Sequence, residues 1–256
     1  MASQRGFEQA KSSAPQLKRS IRARWSLAER VEGWTGSGLN LEFTDPACRE
    51  TWKKVLRGAV GDTRLGTALD IGTGPGTIAL LWAELGCEVS GIDFSPGMLE
   101  AARREATKRG LAIKLIEGDA EEPPETKKRF DIISSRFVLF TLPHPGYALR
   151  RWVHLLRPGG SLVLIGHQHS QDGATPHRRP PQTATKAEQK HRDVLSRLPF
   201  VNHQAADLQV VMEAAGLRDI QRANMKELLV ARDALRKRLG AGSIPQSTPF
   251  IIVGRK

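Results

Sequence analysis

Residues 67–78 read Thr-Ala-Leu-Asp-Ile-Gly-Thr-Gly-Pro-Gly-Thr-Ile, which sets Asp70, Gly72, Gly74 and Gly76 at every second position. A short apolar run, Ala68-Leu69-Asp70-Ile71, enters the glycines, and a helix-length stretch, Thr77–Leu85, leaves them. The junction needs small residues. The backbone must turn tightly there and let a ligand approach, and the helix start after Gly76 offers free N–H groups to ligand oxygens. Alternating glycines alone are a weak signal. They gain force from a second apolar run, Glu88-Val-Ser-Gly-Ile92, which ends at Asp93, 23 residues after Asp70. A carboxylate at the end of a second strand can accept hydrogen bonds from both ribose hydroxyls of an adenosine.

The same alternation continues outward. Strand-like runs at 67–71, 88–92, 111–116, 130–134 and 161–166 are separated by helix-like segments at 77–85, 96–109 and 147–156. Buried strands alternating with helices predict βαβ units on a parallel sheet, a doubly wound α/β core. Upstream, Leu17, Ile21, Trp25, Ala28 and Val31 recur at three- and four-residue steps and predict one amphipathic helix over 17–34. A second helix begins with Asp45 as N-cap and Pro46 at its first position, carries Trp52, Val55, Leu56 and Val60 on one stripe, and stops at Gly61. Residues 1–20 are polar and basic and predict a disordered or lid-like start. Residues 167–203, with Pro176, Pro180, Pro181 and five of the seven histidines, read as an insertion or loop. Helix-like 205–215, strand-like 217–222, a basic helix over 226–239 and a strand over 248–254 close the chain. There is no internal repeat.

Composition bounds the function classes. The chain has 256 residues, 39% of them apolar, which suffices for one large core. No apolar stretch approaches the roughly 20 residues that span a bilayer, and the N-terminus lacks a secretory h-region, so a cytoplasmic protein without a membrane partner is expected. Cys48 and Cys87 have no partner at CxxC spacing, which argues against a disulfide framework and a thiolate metal site. The net charge of +12 points first to a polyanion, but it divides as +5 over 1–64, zero over 65–165 and +7 over 166–256. The central segment is neutral, and a solvated basic face is the expected explanation of the flanks, with nucleic acid not expected as a partner.

Five segments in order carry a resemblance: Asp70-Ile-Gly-Thr-Gly-Pro-Gly76, Gly91-Ile-Asp93-Phe-Ser-Pro-Gly-Met98-Leu, Glu117-Gly-Asp119-Ala120-Glu, Phe130-Asp-Ile-Ile-Ser-Ser-Arg136 and Leu156-Arg-Pro158-Gly-Gly160-Ser-Leu-Val. Across residues 65–166 the chain resembles the class I S-adenosylmethionine-dependent methyltransferases. The glycines follow Asp-x-Gly-x-Gly-x-Gly, unlike the Gly-x-Gly-x-x-Gly of nicotinamide-dependent Rossmann domains. The resemblance implies a Rossmann-like doubly wound sheet, mostly parallel with an antiparallel C-terminal strand and helices on both faces. It implies S-adenosylmethionine as cofactor, with residues 1–64 as a helical lid or substrate-binding segment and 65–256 as the methyltransferase domain, the latter carrying a lid-like insertion near 167–203. Gly72, Gly74 and Gly76 would pass under the methionine part, and Asp70 would orient the loop or the cofactor's amino group. Asp93 would hold the ribose, Phe94 and Met98 would flank the adenine, Asp119 would accept its exocyclic amine, and Ala120 and Ser135 would add contacts. Helix packing is the alternative for Phe94 and Met98.

Methyl transfer is an in-line displacement at a carbon activated by positive sulfur, so positioning and water exclusion come before any catalytic group. Candidates are the strand ends facing the cofactor. Arg136 offers a bidentate grip on a substrate or cofactor carboxylate, or else a structural salt bridge. His167 or His169, after the fifth strand, offers a general base, or else a solvated imidazole. No metal site is expected, because the histidines between 167 and 203 lack a helical i, i+4 pair. Trp25 and Trp34 could stack on the sulfonium or pack in the core. Residues Ser134–Phe137 replace the Asn/Asp-Pro-Pro-aromatic motif of amino-directed DNA enzymes, and neither cysteine follows a proline as in cytosine C5 enzymes. A small-molecule nitrogen or oxygen nucleophile is therefore the expected acceptor. Two alternatives keep the cofactor: cyclisation to azetidine-2-carboxylate with release of methylthioadenosine, and methylation of RNA. The sequence carries no sign of oligomeric state.

Overall fold

The computed structural model describes residues 15–27, 31–33, 38–124, 128–168, 198–200, 205–240 and 248–256. The polar start at 1–14 and most of the 167–203 segment, His169 included, lie outside the described residues.

Seven strands form one sheet: β1 (Thr67–Ile71), β2 (Glu88–Asp93), β3 (Ile113–Glu117), β4 (Phe130–Arg136), β5 (Leu156–Gln168), β6 (Arg218–Arg222) and β7 (Thr248–Arg255). Their order is β3-β2-β1-β4-β5-β7-β6. The pairs among β1 to β5 are parallel, while β7 runs antiparallel to both β5 and β6. The direction of winding reverses between β1 and β4, the place where open α/β sheets bind ligands beyond the strand carboxyl ends.

Successive residues of each central strand supply opposite faces. Leu69, Ile71, Ile133, Leu162 and Leu164 pack under α5 (Pro145–Leu155) and α6 (Ala205–Ala214). Ala68, Ile132, Val163 and Ile165 pack under α2 (Pro46–Val60), α3 (Thr77–Glu84) and, through Leu228, α7 (Lys226–Leu239). The central strands β1 and β4 are buried along almost their whole length because both faces are covered. Between β2 and β3 runs α4 (Pro96–Lys108), and α1 (Gly38–Thr44) precedes α2. As expected, Asp45 caps α2 by accepting from the Cys48 amide, and Gly61 ends it. α1 was not legible from periodicity.

Three expectations are corrected. The helix expected over 17–34 is not continuous: residues 15–25 are helical and Ser26 turns. There the Trp25 carbonyl accepts from the Ser95 hydroxyl at 2.9 Å, and the helical bonding resumes with Val31 N–H to Leu27 O. β3 begins at Ile113 rather than Leu111, because Gly110, in the left-handed region (φ +63°), ends α4 and Leu111 N–H returns to Ala106 O as its C-terminal cap. β5 begins at Leu156, well before residue 161. Pro158-Gly159-Gly160 reads as a turn in sequence, yet Leu156 pairs with Phe130 ahead of a register shift.

Candidate active site

The glycine loop is tied down from both sides. Thr73 N–H donates to Ile92 O, and Gly74 N–H donates to Asp93 Oδ2 at 2.8 Å. Gly72, Gly74 and Gly76 all have φ between +54° and +79°, a region costly for any residue with a Cβ. At Gly72 space forbids one as well, since a Cβ would stand 2.1 Å from Val138 Cγ2.

Asp70 sits at the root of the loop and is buried. It accepts from Thr73 Oγ1 at 2.8 Å and from Ser134 Oγ at 2.7 Å, and Trp82 Nε1 donates to the same serine. The carboxylate thereby joins β1, β4, α3 and the loop, an orienting function. Burial pushes its pKa up to about 6, against the opposing pull of the two hydroxyls and of Arg136.

Asp93, 7% exposed, ends β2. It accepts the backbone N–H groups of Gly74 and Ser95, and burial raises its pKa to about 6 despite those bonds. A carboxylate has about four acceptor positions, so these amides leave capacity for hydroxyls. Ser95 caps α4 by accepting from Met98 N–H, which starts the helix next to the loop.

Phe94 and Met98 meet the N-terminal segment. Phe94 packs with Leu17, Ile21, Trp25 and Leu198, while Met98 is buried with Val31 and Ala101. Trp25 packs in these two clusters. Beyond β3, Asp119 Oδ1 accepts from Glu121 N–H, and Lys18 Nζ reaches Asp119 Oδ2 at 2.7 Å and Glu121 Oε2 at 2.6 Å. Burial pulls the Lys18 pKa down, but the two carboxylates outweigh it and raise it. Arg22 pairs with Glu117 at the end of β3. The helix of residues 15–25 thus lies over Phe94 and Asp119. Ala120 is buried with its carbonyl accepting Trp152 Nε1, and Ser135 Oγ donates to Ile71 O, closing β1 against β4.

At the other side of the switch point stands Arg136. Its Nη2 donates to Asn40 Oδ1 at 2.7 Å, and its guanidinium lies 4.9 Å from the Phe43 ring centroid and 5.2 Å from that of Phe137. Asn40 Oδ1 also accepts from Thr77 Oγ1 at 3.3 Å, which places this group beside the start of α3. Burial lowers the Arg136 pKa to about 10, against the attraction of Glu42 and Asp70, so it stays cationic at neutral pH. Phe137 has φ +62°, a strained value for an aromatic residue, and meets His167 edge-on at 5.0 Å and Phe140 at 6.2 Å. Arg136, Phe137 and His167 therefore meet at one mouth. No cluster of metal-ligating side chains occurs among the described residues.

Sequence reasoning missed Asn40, Thr73 and Lys18. A hydroxyl inside the glycine loop signalled Thr73. Asn40 and Lys18 sit in segments whose partners are distant in sequence.

The donor set fits an adenosyl amino-acid ligand. Asp93 suits vicinal hydroxyls, Asp119 an amine and Arg136 a carboxylate, and the apolar Phe94 follows Asp93 directly in the chain. A methyltransferase domain model matches residues 69–164. The demethylmenaquinone methyltransferase of Thermus thermophilus is 38% identical over 108 residues, 41% of this chain and 49% of that protein. An aklanonic acid methyltransferase of a Streptomyces species is 42% identical over 101 residues, 38% of this chain and 46% of that protein. The chain spans about half the length of the curated relatives it matches. The phosphoethanolamine N-methyltransferase 2 of Haemonchus contortus, solved with S-adenosyl-L-methionine, shares the fold with a TM-score of 0.62 at 18% identity, covering 92% of this chain and 59% of that one. Through residues 69–164 the chain matches a methyltransferase domain and is similar in sequence to S-adenosylmethionine-dependent methyltransferases.

Proposed function

We propose that this protein transfers the methyl group of S-adenosylmethionine to a nitrogen or oxygen nucleophile of a small molecule. The observation that carries the reading is the pairing of the loop Asp70–Gly76 with the buried Asp93, which ends β2 beside β1 and accepts the loop's own Gly74 amide. The names of the matched relatives, demethylmenaquinone and aklanonic acid methyltransferases, support a small-molecule acceptor.

When bound, the cofactor supplies an electrophilic methyl carbon on positive sulfur. The chain's residues bind and orient. Asp93 accepts the ribose hydroxyls, and Asp119 accepts the adenine amine with Lys18 beside it. Arg136 donates to the amino-acid carboxylate in a charge-assisted pair. The helix of residues 15–25 excludes water from the adenine side. His167, at the mouth beside Phe137, takes a proton from an acceptor that must lose one.

The test is incubation of purified protein with S-adenosylmethionine and panels of small nucleophiles, followed by mass spectrometry with no-enzyme and Asp93→Ala controls. S-adenosylhomocysteine release that depends on an added small acceptor supports the reading. Methylthioadenosine and azetidine-2-carboxylate formed without acceptor, or turnover with RNA alone, would overturn it.

A further inference from the structure

α1 has seven residues, too few to hold a helix by its own hydrogen bonds, so tertiary contacts fix it. Two of its side chains, Asn40 and Phe43, touch the Arg136 guanidinium, one by a hydrogen bond and the other by its ring face. Between them in sequence stands Glu42, fully buried at 0% exposure and ion-paired with Arg232 of α7, itself 2% exposed. Phe43 also stacks on Trp52 of α2 at 4.9 Å. A buried ion pair is weak evidence for stability, because apolar residues of similar volume often serve as well or better, and its best-attested use is to fix one arrangement. Here the arrangement is the orientation of α1, hence of the two groups around Arg136. The Glu42 carboxylate also attracts that guanidinium, ahead of Asp70.

We infer that Glu42 and Arg232 are positioning residues for the ligand-binding Arg136: their buried pair anchors α1 so that Asn40 and Phe43 hold the guanidinium against the carboxylate end of the cofactor. The inference rests on the reading of Arg136 as the carboxylate's partner. It gives the C-terminal helix α7 a part in cofactor binding that none of the glycine or acidic motifs indicates.

Two ligands separate the parts of this claim. S-adenosylhomocysteine carries the carboxylate, whereas 5′-methylthioadenosine shares the adenosine and thioether and lacks the amino-acid arm. Calorimetry on the full chain compares wild type, Arg136→Gln, Asn40→Ala and the double variant Glu42→Met/Arg232→Met, which removes both buried charges at similar volume. Cooperative melting and near-ultraviolet circular dichroism check each fold. Arg136→Gln is expected to weaken S-adenosylhomocysteine about tenfold or more and to leave methylthioadenosine within about twofold. The double variant and Asn40→Ala are expected to show the same selective loss, about three- to tenfold. If Arg136→Gln is selective but neither of the others is, the positioning claim falls and the reading of Arg136 stands. Equal loss of both ligands in the double variant means a structural contribution only and overturns the claim. No selectivity in Arg136→Gln overturns both, and absence of binding to wild type overturns the cofactor reading beneath them. If the double variant fails to fold, Arg232→Met alone, which breaks the pair and lets the Glu42 carboxyl take up a proton, is read against the two ligands in the same way.

Discussion

The site has a floor and a cover, and they are built by different physics. The floor is the loop Gly72–Gly76 with the ends of β1, β2 and β4. Its bonds join buried backbone and short side chains, as in Gly74 N–H to Asp93 and Ser134 to Asp70. The cover is the helix of residues 15–25. Its ion pairs are made by long cationic side chains, Lys18 to Asp119 and Glu121 and the exposed Arg22 to Glu117, with one short bond from the Ser95 hydroxyl to the Trp25 carbonyl and with Ile21 and Trp25 packed beneath. A floor of buried short bonds is rigid and intolerant of substitution. A cover of partly solvated ion pairs is weakly held and sensitive to salt, which suits a part that must admit a ligand.

The largest effect expected from this contrast is Gly72→Ala. The left-handed backbone and the Val138 methyl group 2.1 Å from the new Cβ should together cost about 3 kcal/mol in denaturant unfolding. Gly110 has nearly the same φ, +63°, with nothing within 4 Å, so Gly110→Ala should cost only about 1 kcal/mol. Equal costs at the two sites would break the claim that packing stiffens the floor.

Next in size is a pH effect on the floor. Asp93 has its pKa raised to about 6 by burial, and only its ionised form accepts ribose hydroxyls without competition from its own proton. Cofactor affinity should therefore rise with pH through about 6 and level off above it, falling by up to about tenfold per pH unit below. Binding at pH 6 should release protons, seen as a dependence of calorimetric enthalpy on buffer. The sign for the free protein is opposite. A folded pKa above the unfolded value of 3.8 means that the stability contributed by Asp93 and Asp70 is fully present below 3.8 and lost as pH rises through about 6. Affinity that is flat between pH 5 and 7 would contradict this assignment.

The smallest effect belongs to the cover. Lys18→Gln with Arg22→Gln should speed S-adenosylhomocysteine release by less than about fivefold, measured by stopped-flow fluorescence of the tryptophans, since exposed pairs are worth little. Wild type in high salt should approach the variant. Release that stays unchanged in both conditions would show that apolar packing alone holds the helix.

The floor was legible in the sequence, whereas of the cover only the helix with its apolar stripe of Leu17, Ile21 and Trp25 was, and its partners were not. Asp70, the three glycines and Asp93 announce themselves because each answers a local demand, for a tight turn, a positive φ or a strand-end acceptor. The doubly wound sheet was legible because strands buried on both faces carry short apolar runs, such as Ala68-Leu69 and Ile132-Ile133, between helix-like segments, and the antiparallel β7 followed from the resemblance. Partners distant in sequence were not legible. Nothing near Lys18 points to Asp119, nothing near Asn40 to Arg136, and the break at Ser26 depends on Ser95 taking the Trp25 carbonyl. Pro158-Gly159-Gly160 concealed the first part of β5, since turn residues were read locally where pairing with β4 prevails.

The most direct test of the central claim, that Asp93 and the glycine loop form a cofactor floor, is calorimetric titration of S-adenosylhomocysteine into wild type and Asp93→Ala. Loss of charge-assisted bonds to both ribose hydroxyls, together with loosening of the loop at Gly74, predicts saturable binding to wild type and affinity at least about a hundredfold weaker in a folded variant. Wild-type affinity in Asp93→Ala, or no binding to the wild-type protein, would contradict the account.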